Sequence, residues 1–327
     1  MLNGKTILVT GGTGSFGQKF IGTILQKYKL KKIIVFSRDE FKQFEMAKVF
    51  PPEKYPIRYF LGDVRDRERL VRAFHGVDYV VHSAALKQVP ALEYNPMEAV
   101  KTNIMGADNI INAAIECGVK KVIALSTDKA VNPVNLYGAT KLAAEKTFVA
   151  ANAYAGGRVK FGVVRYGNVM GSRGSVIPFF LDLKSRGIKE FPITDKRMTR
   201  FWMLLEESVG LVLKALELCE GGEVFIPKIP SMNIIDLAKA IEPKCTFSYF
   251  GIRPGEKLHE SLFSEDESRC TVIHDSVYVI LPSFGLEEHV YAKYKKFPKV
   301  KEGSVYRSDT NDQWLTLKQL QERMKKI

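Results

Sequence analysis

Residues 5–27 read KTILVTGGTGSFGQKFIGTILQK. Three local patterns follow one another in that stretch. KTILVT is a short, almost wholly apolar run of the kind buried in a parallel sheet. Gly11, Gly14 and Gly17 then fall at a G-x-x-G-x-x-G spacing, and KFIGTILQKY continues with helical periodicity. Glycine lets the chain turn sharply and lie close to a pyrophosphate, and the helix that follows offers its positive N-terminus to that anion. A glycine triplet alone says little. Placed between a strand and a helix, it reads as a dinucleotide-binding turn.

The rest of the first half repeats this rhythm. KKIIVFS is a second strand ending at Ser37-Arg38, with Lys42 one helical turn further on. Sites for NAD usually place a carboxylate here, on the ribose hydroxyls, whereas Ser37, Arg38 and Lys42 suit a 2′-phosphate and so NADP. Asp39 and Glu40 follow at once and argue for the other cofactor, although they also serve as anionic starters for the next helix. IRYFLGDVRD gives a third strand ending at Asp63-Val64, where a carboxylate can reach an adenine amine. VDYVVHSAAL gives a fourth, with Ala84 and Ala85 leaving room for the cofactor and Lys87 at the cleft. His82 reads as a satisfied core histidine because no metal-like partners are near it in sequence. PMEAVKTNIMGADNIINAAIECG reads as one long helix containing Asn103. A fifth strand, KKVIALS, ends in STDK, and a sixth is KFGVVRYGNVMG.

Six strands alternating with helices predict a Rossmann-type α/β fold, a doubly wound parallel sheet over residues 1–170. Beyond Gly171 the rhythm breaks into stretches rich in Pro, Gly and aromatics. Residues 171–327 are expected to form mainly a smaller C-terminal α/β substrate-binding lobe and a tail. Residues 201–226, which contain the apolar FWMLLEESVGLVLKALELC, are read as helical and packing back on the sheet. LTLKQLQERMKKI at the end predicts an amphipathic helix for packing or oligomer contacts.

Composition narrows the class. An apolar fraction of 46% with 26% charged residues is that of an ordinary soluble protein, and no run approaches a membrane span. Cys117, Cys219, Cys245 and Cys270 form no C-x-x-C, which favours reduced thiols in a cytoplasm over disulfides or zinc. The formal charge of +13 fits nucleic acid, an anionic surface or an anionic small ligand. The lysines are spread along the chain, and the densest cluster, YAKYKKFPKVK at 291–301, stands in no nucleic-acid module, so a solvated surface is the reading adopted.

The chemistry concentrates in residues 126–141, STDKAVNPVNLYGATK. Tyr137 and Lys141 are four apart and share a helical face. A phenol titrates near 10 and becomes a useful base only beside a cation, which Lys141 can supply while bonding a ribose. Thr127, Asp128 and Lys129 stand at the carboxyl end of the fifth strand, where ligands of open α/β sheets bind. A Tyr-x-x-x-Lys pair also occurs by chance on surface helices, and Asp128-Lys129 also fits an exposed ion pair. The cofactor motifs ahead of them favour a site.

TGGTGSFG, the STD tip, Tyr137-x-x-x-Lys141 and RYGNVMGS, in that order, resemble the extended short-chain dehydrogenase/reductase superfamily over almost the whole length. SRDEFKQ, TDKA, TRFWM and RPGEKLHE narrow the resemblance to inverting UDP-N-acetylglucosamine 4,6-dehydratases, the kind without membrane spans that opens pseudaminic-acid biosynthesis for flagellin glycosylation. That resemblance implies a tightly bound NADP recycled each turnover, UDP-N-acetylglucosamine as substrate, and a cytoplasmic homo-oligomer, of which a hexamer is one form. Gly11, Thr13, Gly14, Ser15, Phe16, Gly17 and Gln18 would wrap the pyrophosphate. Ser37, Arg38, Asp39 and Lys42 would meet the 2′-phosphate end and Asp63 and Val64 adenine; Tyr137 and Lys141 would flank the nicotinamide ribose, and Ala84, Ala85, Lys87 and Asn168 would also bind the cofactor. Lys87 and Asn168 would also face the sugar nucleotide. Val176, Ile177, Pro178, Phe179, Phe180 and Thr194 would line its cleft, with Arg253 and Glu256 on the diphosphate and uridine ribose; from sequence alone a structural salt bridge at Arg253 looks the same.

The reaction implied oxidises C-4, with Tyr137 taking the hydroxyl proton and Thr127 orienting that hydroxyl. Lys129 as a neutral base removes the C-5 hydrogen, Asp128 as an acid protonates the departing C-6 hydroxyl, hydride returns to C-6, and a proton reaches the other face of C-5. A 4- or C-5-epimerase could use Tyr137 and Lys141 on the same substrates. A non-catalytic NADP-sensing protein would have no need of Tyr137 or the acid–base pair.

Overall fold

The strand Thr6–Thr10 (β1) lies third from one edge of a nine-stranded sheet in the computed structural model, which describes residues 1–172, 174–283 and 292–326. β1 pairs in parallel with Lys32–Ser37 (β2) on one side, and β2 with Ile57–Leu61 (β3). On its other side come Tyr79–His82 (β4), Lys121–Thr127 (β5) and Lys160–Tyr166 (β6), all parallel. The order 3-2-1-4-5-6 reverses direction between β1 and β4, so the carboxyl ends of those two strands open a crevice.

The sheet does not stop at six strands. Val224–Pro227 adds in parallel beside β6, and the antiparallel hairpin Thr271–His274 and Val277–Ile280 completes the edge. A boundary at residue 170 therefore cuts through the sheet, because three of its strands come from the C-terminal half.

Alternation along β1 sends Leu8 to one face and Ile7 and Val9 to the other. On the first face, Arg67–Phe74, Gly106–Glu116 and Leu136–Tyr154 pack over Leu8, Phe36 and Phe161. On the second, Ser15–Lys27 packs with Leu205–Leu218 over Ile7, Val35 and Phe225. Helix formation in 201–226 begins only at Leu205. TRFWM (Thr199–Met203) is a buried strand between Ser231–Asn233 and Asn168–Val169, because an apolar run this short suits either element and strand pairing decides. The long helix around Asn103 runs from Pro96 to Glu116 with a π-helical turn at Val100–Met105.

A separate core of Ile177, Phe180, Phe191, Trp202, Leu237 and Leu320 holds the smaller lobe together. The C-terminal helix Leu317–Met324 lies on Ile234–Ile241 and buries Leu320 there. Leu317, one turn earlier, stays exposed. Of the basic 291–301 stretch, Lys293 pairs with Glu220 and Tyr294 is buried, while Tyr291 lies outside the described residues. No described helix is long and apolar enough to cross a membrane.

Candidate active site

A cleft of about 700 Å³ runs along the carboxyl ends of β1, β2, β4 and β5. The glycine turn forms its floor. Gly11 has φ +63°, and a Cβ there would lie 2.9 Å from the Ala84 backbone; a Cβ on Gly17 would lie 2.5 Å from Gly12. Only glycine lets the turn, β4 and the following helix come this close. That helix starts at Ser15 without a side-chain cap, which leaves its first-turn N–H groups to whatever occupies the cleft. An open cradle with an uncapped helix end fits a dinucleotide pyrophosphate.

Gly11, Thr13, Gly14, Ser15, Phe16 and Gly17 all line this cleft, but Gln18 does not. Its amide donates to the Thr13 carbonyl at 2.9 Å and holds the turn from behind. At the β2 end, Ser37, Arg38, Asp39 and Lys42 form the wall together with Asp63 and Val64. Asp39 caps the next helix by accepting from the Lys42 N–H at 2.9 Å, and its carboxylate pairs with the Lys42 ammonium. Gln43, not singled out from the sequence, is buried and donates to Ser37 Oγ and the Ser37 carbonyl, fixing the end of β2. Arg38 stands 3.8 Å from Asp63 and is mostly exposed, so it can swing to a phosphate.

The loop after β4 brings Ala84, Ala85 and Lys87 to the cleft. Asn103, placed by the π-helical turn, clamps this loop: its amide accepts from the Leu86 N–H at 2.9 Å and donates to the Leu86 carbonyl at 3.0 Å and to Thr140 Oγ1 at 3.0 Å. π-helical turns recur at functional sites because they re-aim one side chain within a helix. His82 lies below, buried, with Nδ1 2.8 Å from Thr10 Oγ1; burial and then the Lys141 charge lower it to about 3.

At the end of β5, Thr127, Lys129, Tyr137, Lys141 and Asn168 face the cleft. Asn135 caps the Tyr137 helix by accepting from the Gly138 N–H at 2.8 Å, and it donates to the Gly255 carbonyl at 2.7 Å, which ties the RPGEK loop to the helix start. Burial pushes the Tyr137 phenol up to about 12; the Lys129 charge and a hydrogen bond with Thr127 pull it down, and Asp128 pushes it up. The Lys129 charge thus acts on the phenol from the same cleft that Lys141, the cation the sequence suggested, also lines. Lys141 donates to the Leu125 carbonyl at 2.7 Å, and burial, opposed by Glu145, brings it to about 8.

Asp128 is fully buried just behind the wall, accepting from Thr127 Oγ1 at 2.9 Å and from Lys129 Nζ at 3.0 Å. Burial raises its carboxyl above the ordinary range despite Lys129. Lys129 is held as an ammonium by its carboxylate neighbours. Burial lowers its ammonium, but the carboxylates of Asp128 and Glu260 outweigh that and hold it well above the usual lysine value. Glu260, whose Oε1 is 3.4 Å from Lys129 Nζ, was missed from sequence. It closes the quoted RPGEKLHE stretch, yet nothing local tells that it meets a residue on β5's far end.

The expected sugar-nucleotide residues divide. Lys87 and Asn168 line the cleft. Ile177 and Phe180 are fully buried in the small lobe's core, because Val176–Ser185 is a helix whose inward face must pack on Phe191. Val176, Pro178, Phe179, Thr194, Arg253 and Glu256 lie outside this cleft's wall. The exposed Arg253 guanidinium sits 4.8 Å over Phe250, and the Arg253 backbone N–H donates to Glu256 Oε2 at 3.4 Å.

A parallel sheet with this strand order, a glycine turn at its switch point and a Tyr-x-x-x-Lys helix beside it define a Rossmann-type protein of the short-chain dehydrogenase/reductase kind. The family model described as "Polysaccharide biosynthesis protein" matches residues 7–282, and the chain belongs to that family. It is 56% identical over 326 residues to a UDP-N-acetylglucosamine 4,6-dehydratase (inverting) of Campylobacter jejuni, covering 98% of this chain and 97% of that one. It is 46% identical over 299 residues to a UDP-glucose 4-epimerase of Rickettsia massiliae, covering 89% and 86% respectively. Among solved structures, Pen from Bacillus thuringiensis superposes with a TM-score of 0.90 at 37% identity, over 100% of this chain and 98% of that one.

Proposed function

We propose that this protein is an NADP-dependent UDP-N-acetylglucosamine 4,6-dehydratase that inverts C-5, giving UDP-2-acetamido-2,6-dideoxy-β-L-arabino-hex-4-ulose. The observation that carries this reading is the buried Asp128 hydrogen-bonded to Lys129 at 3.0 Å beside Tyr137. An epimerase acting through C-4 needs the tyrosine but has no water to expel, and so no use for a second acid–base pair. Similarity to the Campylobacter jejuni dehydratase points the same way.

In this reading the glycine turn holds the cofactor pyrophosphate, Arg38 and Lys42 the 2′-phosphate, and Lys141 the nicotinamide ribose. A nicotinamide bound there supplies a reversible hydride acceptor. Tyr137 takes the proton of the C-4 hydroxyl, which Thr127 orients. Once C-4 is a ketone, the C-5 hydrogen is acidic and Lys129 removes it. A sugar over the pair excludes water, which favours uncharged partners, so the Lys129 proton moves to Asp128 before this step. Asp128 then protonates the departing C-6 hydroxyl.

Arg253 and Glu256, docked through Gly255 on Asn135, serve the nucleotide end. The product fits the first step of pseudaminic-acid formation, in the cytoplasm, by a homo-oligomer. Incubation with UDP-N-acetylglucosamine, read by mass spectrometry and NMR, tests the reading. A 4-keto product lighter by one water and inverted at C-5 supports it. An isomer of unchanged mass would make the protein an epimerase, the activity named for the Rickettsia massiliae relative.

A further inference from the structure

Lys129 Nζ lies between two carboxylates contributed by distant parts of the chain, Asp128 Oδ1 at 3.0 Å and Glu260 Oε1 at 3.4 Å. Glu260 is the more deliberately built of the two. Its side chain is 3% exposed, its backbone is clamped by reciprocal bonds with Ser308, and its Oε2 stands 3.6 Å from Lys257 Nζ without a hydrogen-bond partner. Lys257 is itself pinned to the Val131 carbonyl at 2.5 Å, on the loop leaving the Asp128 turn. Arg200, buried in the strand Thr199–Met203, donates to the carbonyls of Thr199, Lys257 and Leu258 and so fixes the backbone leading into Glu260. A buried carboxylate held this firmly needs a reason beyond stability, since such pairs contribute little net folding energy.

We propose that Glu260 is a positioning residue that acts through Lys129, fixing its amine between Tyr137 and Asp128 and keeping it charged until the sugar enters. The charged groups that meet at this point are Asp128, Glu260, Lys257 and Arg200, with Lys87 and Tyr137 on the cleft side feeling the Lys129 charge. Burial pushes Glu260 up, but Lys129, Arg200 and Lys257 outweigh it and keep the carboxyl below its ordinary range. Asp128 moves the other way. The two carboxylates thus divide the work. Glu260 stays ionised as a fixed counter-charge. Asp128 takes the proton: an N–H bond of Lys129 breaks and an O–H bond forms on Asp128, with no change in net charge. The strength of the Glu260 field sets how hard that transfer is.

The test is a titration of the Lys129 amine by 15N NMR in the cofactor-loaded, sugar-free protein, the signal being assigned by its loss in Lys129→Met. Glu260→Gln keeps the shape and removes the charge, and should lower the midpoint by about one to three pH units. Lys257→Met removes a cation from the far side of Glu260 and should move it upward. Glu260→Asp keeps the charge and should leave the midpoint nearer the parental value than Glu260→Gln does. An unmoved midpoint in Glu260→Gln, or shifts of one sign in both the Gln and Met variants, overturns the inference. Should Glu260→Gln not fold, Lys257→Met decides it alone. The kinetic arm rests on the dehydratase reading: the ascending limb of C-5 hydrogen exchange should move to lower pH in Glu260→Gln, while oxidation at C-4 persists. A parent protein that does not dehydrate would sink that reading, and the amine titration would still decide the role of Glu260.

Discussion

A phenol lifted to about 12 by burial cannot serve as a base near neutrality without a cation, and the Lys129 charge is one that pulls it down. Tyr137→Phe should show no NADPH absorbance transient after sugar addition. Lys129→Ala should bind cofactor and sugar nucleotide, lose C-5 exchange with deuterated solvent, and oxidise C-4 more slowly because the phenol has lost its neighbour; exchange at the parental rate would make Lys129 structural. Arg38 gives a second outcome. It lies at the cleft wall, mostly exposed, 3.8 Å from Asp63, so Arg38→Ala should weaken NADP by roughly 1.5–3 kcal/mol and leave NAD unchanged in calorimetric titration. His82 gives a third, about stability. Its folded-state value is about 3 against an ordinary 6.5, so the folded protein refuses a proton that the unfolded chain binds. Stability is then intact above about pH 6.5 and falls as pH drops toward 3, by at most about 1.4 kcal/mol per pH unit from this residue. Denaturant midpoints between about pH 7 and pH 5 should fall less steeply in His82→Gln, and parallel slopes would show that His82 is not the group refusing the proton. Tyr137, Lys141 and the Thr127–Lys129 triplet were legible as residue types at telling positions. The charges acting on them were not, because Glu260 reaches Lys129 across more than a hundred residues.

The Tyr137 helix begins against the turn that carries Asp128 and Lys129, and one residue sets the separation. A Cβ on Gly138 would lie 2.2 Å from the Lys129 carbonyl oxygen and 3.0 Å from Pro133 Cβ. Gly138→Ala must therefore push turn and helix apart, at a cost of about 1–3 kcal/mol. Because the glycine turn at Gly11–Gly17 is untouched, the variant should bind NADP normally in calorimetric titration and lose most C-5 exchange. Full exchange would mean the turn has room to move. At this scale the sequence was informative wherever an element rests on local pattern: β1 to β6 and the helices between them follow from apolar runs and periodicity. It was silent where partners decide. TRFWM reads equally as the first turn of the following helix, and only pairing with Ser231–Asn233 makes it a strand. Nothing in VKTNIM marks the π-helical turn that aims Asn103 at Leu86. The apolar face of the C-terminal helix suggested packing or an oligomer contact; Leu320 packs on Ile234–Ile241, while Leu317 stays exposed.

How the two halves share one sheet decides how the molecule folds. If residues 1–170 were a self-sufficient nucleotide-binding domain, as the rhythm of six strands suggests, β6 would be an edge strand. It is an interior one. Val163 and Val164 pair with Val224 and Phe225 of the strand beyond, itself paired with Val277–Ile280. The face carrying Ile123 and Val164 is covered by Leu205–Leu218, which brings Val209, Val212 and Leu216. Beneath β6, the buried Arg165 is held by Glu145 from the Tyr137 helix and by Glu267 from the C-terminal half, at 2.6 and 2.9 Å. Cutting after residue 170 removes Glu267, the covering helix and the partner strand at once. It leaves a long apolar edge, which invites aggregation, and a buried arginine short of one carboxylate. Breaking such a buried pair alone costs about 3–5 kcal/mol, a large share of the 5–15 kcal/mol that holds a typical protein folded. A fragment of residues 1–170 should therefore be insoluble or lack fixed tertiary structure, with poor dispersion in its amide NMR spectrum and no NADP binding. The full chain should unfold in a single calorimetric transition. A soluble fragment that binds NADP with the parental affinity would show that the first six strands stand alone, and that the C-terminal strands are an addition to a finished sheet.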